Sequence, residues 1–420
     1  MQADLNLSTE FVTAQHAHQI RLLVSLEGES PTQRAPINTA LVLDRSGSMS
    51  GEPLHAARDA AARFIQFLGP EDRTSVVAFD DQVATLADPV ACHPDTVAHL
   101  IDAVRTIPPG GTTNLSGGWL KGQNNVASGK VEGVNRVLLL TDGLANVGVT
   151  EPDQLCLMAE AARRKGVTTT CIGFGPQFDE NLLLAMADAG GGNFWYVEST
   201  DQMGPIFEQE IEGLVALAAQ NVEVTLTLTH DKAAGVSFPQ DYPVCQTAEG
   251  AWQVTLGDLY GNAPLNLAAV IHVEDVAQLG EVEVGTVAIE ADVVQPGGIE
   301  HRTITLPVVA NLDGSRRIEP IVEATFLRYS VAEARQHAVC EADAGDLDRA
   351  AGILREMADA LDDELDTPGM REEQADLEAE AARLEQRFYA PADRKYHQAS
   401  AKAIWRDEVA YLDKIRRHEP

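Results

Sequence analysis

Cysteine is scarce and scattered. The 420-residue chain has five, at positions 92, 156, 171, 245 and 340, with no Cys-x-x-Cys pair. That is neither a disulfide framework nor a zinc knuckle, and a reduced compartment is the simpler expectation. Positive charge is also short: lysine plus arginine is 31 against 64 acidic residues, a net charge of −33. Nucleic acid and anionic membrane surfaces both need clustered cations, so this balance argues against either as a partner. Long apolar runs are missing. The stretches at 138–140 and 265–273 are far too short to span a membrane. Residues 1–10 lack the charged-then-apolar pattern of a secretory leader. A cytoplasmic protein without a membrane span is the resulting expectation. The hydrophobic share is 45%, ordinary for a folded chain, so the acidity does not imply disorder.

The length predicts two or three domains. Residues 5–26 have strand character, with Ile20, Leu22, Val24 and Leu26 in alternation, and 27–36 read as a linker. Short apolar strands at 37–43, 74–79, 136–141, 167–172 and 193–197 then alternate with helical patterns at 53–68, 94–105, 115–127, 152–165, 180–189 and 202–217. That alternation predicts a doubly wound, mostly parallel α/β sheet with helices on both faces. From about residue 219 the pattern is strand-like without helices, at 221–229, 252–256, 265–273, 282–291 and 303–309, as in a β-sandwich. The N-terminal strands are expected to pair into that sandwich, making the α/β domain an insertion. From residue 319 onward the chain reads as helical, with apolar residues at helical spacing over 332–341, 346–365 and 371–388 and a break at Thr367-Pro368-Gly369. Residues 341–386 hold 16 acidic and 4 basic residues, read as a solvated helical face. The final segment carries Trp405, Tyr411, Leu412 and Ile415 as an apolar stripe, expected to pack back on the acidic helices rather than on a partner. The expected division is 1–35 (N-terminal strands), 36–219 (α/β), 220–318 (sandwich), 319–390 (helical) and 391–420 (helical tail).

Chemistry concentrates at Leu41-Val42-Leu43-Asp44-Arg45-Ser46-Gly47-Ser48-Met49. An apolar strand ends in Asp-x-Ser-x-Ser, and a helix begins near Pro53. Ligands on open α/β sheets bind at the carboxyl ends of strands, where this motif lies. One carboxylate and two hydroxyls at two-residue spacing suit a hard divalent cation. Pro109-Gly110-Gly111-Thr112-Thr113-Asn114 is a Gly-rich turn opening a helix, and Leu138-Leu139-Leu140-Thr141-Asp142-Gly143 is a second buried strand ending in an aspartate. Adjacent central strands would bring Asp44 and Asp142 to one edge. Taken singly, the aspartates could be turn residues and the serines helix caps; the combination points to a cation.

At these residues the sequence resembles the von Willebrand factor type A domain family, whose metal-ion-dependent adhesion site is a split motif of Asp-x-Ser-x-Ser, a threonine and a later aspartate. The resemblance covers roughly residues 36–217. It implies a metal set of Asp44, Ser46, Ser48, Thr113 and Asp142, with Thr113 preferred to Thr112 because it directly precedes the Asn that opens the helix. It implies Mg²⁺ as the ion, with Mn²⁺ or Ca²⁺ as substitutes, and a protein partner whose Asp or Glu completes the shell. The flanking parts are similar in outline to inter-α-trypsin inhibitor heavy chains and to bacterial proteins of that architecture. A non-enzymatic bacterial adaptor or scaffold follows, with AAA+ ATPase association by analogy.

Two rival readings remain. A metal-dependent hydrolase such as a phosphatase would need a base near Asp44, and the sequence offers only Glu52 and His55. Self-assembly would place an acidic side chain of one copy in the site of the next. No Gly-x-Ser-x-Gly elbow, P-loop or His-Glu-x-x-His is present. Gly173-Phe174-Gly175 lacks the third glycine of a dinucleotide fingerprint, and Trp195-Tyr196 reads as core.

Overall fold

In the computed structural model, residues 1–12, 17–29, 34–261, 263–274, 280–295, 298–313, 315–364 and 368–406 are described. Two antiparallel strands come first, β1 (Gln2–Val12) and β2 (Ala17–Glu27). The alternating Ile20, Leu22, Val24 and Leu26 of β2 all face a buried core.

The α/β region runs β3 (Ile37–Asp44), α1 (Glu52–Phe67), β4 (Arg73–Phe79), β5 (Val83–Ala91), α2 (Pro94–Arg105), α3 (Leu115–Ser128), β6 (Val134–Thr141), α4 (Pro152–Arg163), β7 (Thr168–Phe174), α5 (Glu180–Gly190), β8 (Gly191–Val197) and α6 (Thr200–Ala216). Its six-stranded sheet has the order β5-β4-β3-β6-β7-β8. All neighbours are parallel except β4 and β5. Every residue of β3, β6 and β7 is buried, which is why 41–43 and 138–140 read as continuous apolar runs rather than alternating ones. The chain fills one side of β3 with β4 and β5, then crosses to β6 on the other side. The switch point therefore lies between the carboxyl ends of β3 and β6.

Next come β9 (Leu217–Leu228), β10 (Ala233–Ser237), β11 (Val244–Gln246), β12 (Trp252–Tyr260), β13 (Leu265–Val273), β14 (Glu281–Gln295) and β15 (Gly298–Asn311). They form two antiparallel sheets, β1-β2-β13-β10 and β11-β12-β9-β14-β15. One apolar core joins them, with Ile20, Leu22 and Ile271 from the first and Val224, Val254 and Val287 from the second. β9 starts on the residue after α6 ends, so no linker separates the α/β sheet from the sandwich at this crossing.

Four helices close the described chain: α7 (Pro320–Asp343), α8 (Leu347–Glu364), α9 (Pro368–Glu385) and α10 (Pro391–Trp405). α7 begins at Pro320, a dozen residues before the apolar spacing at 332–341, with proline at its first turn. α10 packs on α7 and also reaches the α/β region, where Lys395 pairs with Glu180 and both Lys402 and Arg406 pair with Asp188. The described part of the tail thus packs on the α/β region as well as on α7. Tyr411, Leu412, Ile415 and Thr367 lie outside the described residues. No helix among the described residues is long and apolar enough to cross a membrane.

Candidate metal centre

Asp44 is the last residue of β3, and its side chain is buried. Its Oδ1 accepts the Ser46 amide at 2.7 Å, and its Oδ2 accepts the Thr141 hydroxyl at 2.5 Å. The next residues turn through one short 3-10 turn, Gly47–Met49, before Gly51 (φ +93°) starts α1. Within that turn the Ser46 and Ser48 hydroxyl oxygens lie 3.2 Å apart. Ser48 also donates to Asp142 Oδ1 at 2.8 Å, across the switch point. Both strands that end here are parallel neighbours in register, Leu43 opposite Leu140, so Asp44 and Asp142 arrive at the same edge.

Thr113 is buried while Thr112 is exposed. A Cβ placed on Gly143 would come within 3.0 Å of Thr113 Oγ1, so that hydroxyl lies against the residue after Asp142. The Thr113 carbonyl accepts the amides of Asn146 and Val147, both at 3.2 Å, which holds the loop after β6 in place. Asn114 caps α3, accepting the Gly117 amide at 3.0 Å. The structure thus gathers Asp44, Ser46, Ser48, Thr113 and Asp142 from three separate stretches of chain.

Burial pushes the Asp44 carboxyl up to about 6, against the hydrogen bonds from Thr141 and Ser46 and with help from the Asp142 charge. Burial likewise raises Asp142, against the Ser48 hydrogen bond. Among the described residues no lysine, arginine or histidine forms an ion pair with either carboxylate. Arg45, between Asp44 and Ser46, turns instead to Asp80 Oδ1 at 3.0 Å. Buried carboxylates ordinarily have a cationic partner or a metal, and the remaining donors here are neutral oxygens. The set fits a hard divalent cation. Among the described residues no group of three or more His, Cys, Asp and Glu is gathered for a metal; two carboxylates with three hydroxyls make a different kind of donor set.

Three residues of this region were not singled out from the sequence. Thr141 holds Asp44 and accepts the Gly143 amide at 3.2 Å. Its signal was its place beside Asp142. Arg45 and Asp80 carried no sequence signal of their own, because their contact joins two loops 35 residues apart. Glu52 opens α1 in an exposed position, and His55 is exposed on the same helix, 3.3 Å from Asp59. Trp195 and Tyr196 are buried in β8.

Residues 38–209 match the family model of the von Willebrand factor type A domain. The chain carries a von Willebrand factor type A domain. Over a longer stretch, the chain is 26% identical over 365 residues to the uncharacterized protein sll0103 of Synechocystis sp., covering 85% of each. It is 29% identical over 159 residues to human inter-alpha-trypsin inhibitor heavy chain H3, but that match spans 36% of this chain and only 18% of the heavy chain. Among solved structures, a von Willebrand factor type A protein from Catenulispora acidiphila superposes with a TM-score of 0.70 at 18% identity, covering 95% of this chain and 96% of that one. The likeness to that structure is one of fold, and it takes in the sandwich and helices as well as the type A domain.

Proposed function

We propose that this chain is a non-enzymatic protein-binding module, an adaptor or scaffold, that works through a divalent cation held by Asp44, Ser46, Ser48, Thr113 and Asp142. Mg²⁺ is the first choice, and Mn²⁺ or Ca²⁺ are substitutes. The observation that carries this reading is the pair of buried carboxylates without a positive partner, facing neutral hydroxyls at the switch point. Bound there, the cation would supply a Lewis-acidic position for an Asp or Glu of the partner protein. Asp44 and Asp142 bring the negative charge, the three hydroxyls add none, and Thr141 fixes the orientation of the Asp44 carboxylate. Ser48, Gly47, Gly110 and Gly111 are exposed, leaving this edge open to a visitor.

Hydrolysis is less well supported. His55 is engaged with Asp59 on the exposed face of α1, and Glu52 belongs to its first turn. The test is calorimetric titration of Mg²⁺ into the protein and its Asp142→Ala variant. It is followed by capture of host proteins with Mg²⁺ or with EDTA. Binding of Mg²⁺ by the wild type, together with proteins retained only by wild type in Mg²⁺, supports the reading. An AAA+ ATPase is one class to look for among them. Retention unchanged by EDTA and by Asp142→Ala would reject it.

A further inference from the structure

We propose that Asp80 is the positioning residue of the metal centre, with Arg45 as its counterpart: together they lock the Ser46–Ser48 turn to the Thr113 loop and neutralise the one positive charge built into the motif. The inference rests on the metal-binding reading above, but most of its evidence is independent of any ion.

Ser46 and Ser48 come from the turn after β3, whereas Thr113 comes from the loop before α3. No hydrogen bond among the described residues joins these hydroxyls directly across the two loops. Their separation is set by what lies behind them, and Asp80, just past the end of β4, occupies that place. Its Oδ1 accepts from Arg45 Nη2 at 3.0 Å and from the Gln82 amide at 2.9 Å. Its Oδ2 accepts the Gly111 amide at 3.1 Å, and its carbonyl accepts the Asn114 amide at 2.8 Å. One residue thus holds both ends of the stretch that contains Thr113. Two backbone bonds complete the junction: Gly110 N–H to the Arg45 carbonyl at 2.6 Å, and Gly47 N–H to the Gly111 carbonyl at 2.8 Å.

Glycine at 110 is a steric requirement of this arrangement, since a Cβ there would overlap the Asp80 carboxylate. Asp80 is only 5% exposed and both of its carboxylate oxygens accept hydrogen bonds, so the junction is preformed. Charge gives the second half of the argument. Arg45 adjoins Asp44 in sequence, and a free guanidinium there would repel a divalent cation. The ion pair with Asp80 turns it away and cancels its charge. Supporting groups of this kind orient ligands that they do not replace.

The experiment uses the full chain, with Mn²⁺ affinity by calorimetry and amide hydrogen exchange in EDTA. Asp80→Asn is expected to weaken Mn²⁺ binding by about tenfold or more. Adding Arg45→Met to it should recover part of that loss, because the stray charge is gone; a purely structural defect would not be rescued this way. In EDTA, Asp80→Asn should speed exchange across both 45–50 and 109–114 while β6 keeps its protection. Arg45→Met alone, which spares the Asp80 bonds to Gly111 and Asn114, should affect only 45–50. Wild-type Mn²⁺ affinity in Asp80→Asn would overturn the proposal, as would faster exchange confined to Gln82 and Gly111. Should the wild type itself take up no Mn²⁺, the metal-binding reading falls, and the exchange pattern alone decides the positioning role.

Discussion

A buried aspartate with no positive partner is an expensive residue, and Asp44 is one. Its carboxylate is held by Thr141 and Ser46, yet hydrogen bonds only partly replace lost hydration. Asp44→Asn in metal-free protein should therefore cost no stability and should gain about 1–2 kcal/mol in urea unfolding. The same variant should lose the rise in melting temperature that Mg²⁺ gives the wild type. A clear loss of metal-free stability in Asp44→Asn would show that the carboxylate has a structural partner instead. Gly110 makes a complementary case. Gly110→Ala forces a methyl into the Asp80 carboxylate and should destabilise the protein by about 1–3 kcal/mol, read by the same unfolding curves. The aspartates and serines of the site were legible because each lies where an apolar strand stops. Asp80 also follows an apolar strand, but no serine or threonine motif accompanies it, and only folding puts Gly111 against it.

At the scale of elements, α6 joins the type A domain to the sandwich. Its Glu210 is buried and accepts from Arg136 on β6 at 3.3 Å, Thr170 on β7 at 2.8 Å, Asn193 on β8 at 2.9 Å and Trp195 on β8 at 2.8 Å. Arg136 pairs in turn with Asp258 of β12, so the network ties the parallel sheet, α6 and the sandwich together. Glu210→Ala should destabilise the protein by about 3–5 kcal/mol in guanidinium unfolding, because it breaks a buried ionic network and strands its donors. A loss below about 1 kcal/mol would mean that the network tolerates its removal. Of the strands this network crosses, β6 was readable because burial on both faces makes 137–140 an apolar run, and β7 and β8 because they alternate with helical patterns. β5 was not. It is an edge strand, half exposed along its length and interrupted by Pro89, so its alternation is weak. β10 and β11 are short pieces at the edges of the two sandwich sheets and carry too few residues for a period. The apolar spacing of α7 is clear only from 332 on, because the helix packs against α8, α10 and the first two strands, which spreads its apolar residues around it.

For the whole molecule, charge is the governing quantity. A net −33 makes the compact state repel itself, so moderate salt should raise the melting temperature by screening. A melting temperature that falls between 20 and 200 mM salt, about the range over which surface charges become screened, would contradict this. Acid acts in a defined place. Burial alone would push the Glu380 carboxyl of α9 up, but Arg335 of α7 and His397 of α10 outweigh it and hold it at about 2. A carboxyl depressed on folding contributes stability that is complete above its ordinary value of 4.5 and lost as the pH falls toward about 2. The packing of α9 with α7 and α10 should therefore weaken between those values. Glu380→Gln should flatten that part of the stability–pH curve, measured by denaturation at each pH. An unchanged slope would place the acid sensitivity elsewhere.

The most direct test of the central claim is a crystal structure grown with Mn²⁺ and measured at a wavelength where manganese scatters anomalously. A single strong anomalous peak is expected among Asp44, Ser46, Ser48, Thr113 and Asp142. Crystals that contain the ion but place it elsewhere, with the Ser48–Asp142 and Thr141–Asp44 hydrogen bonds intact, would contradict it.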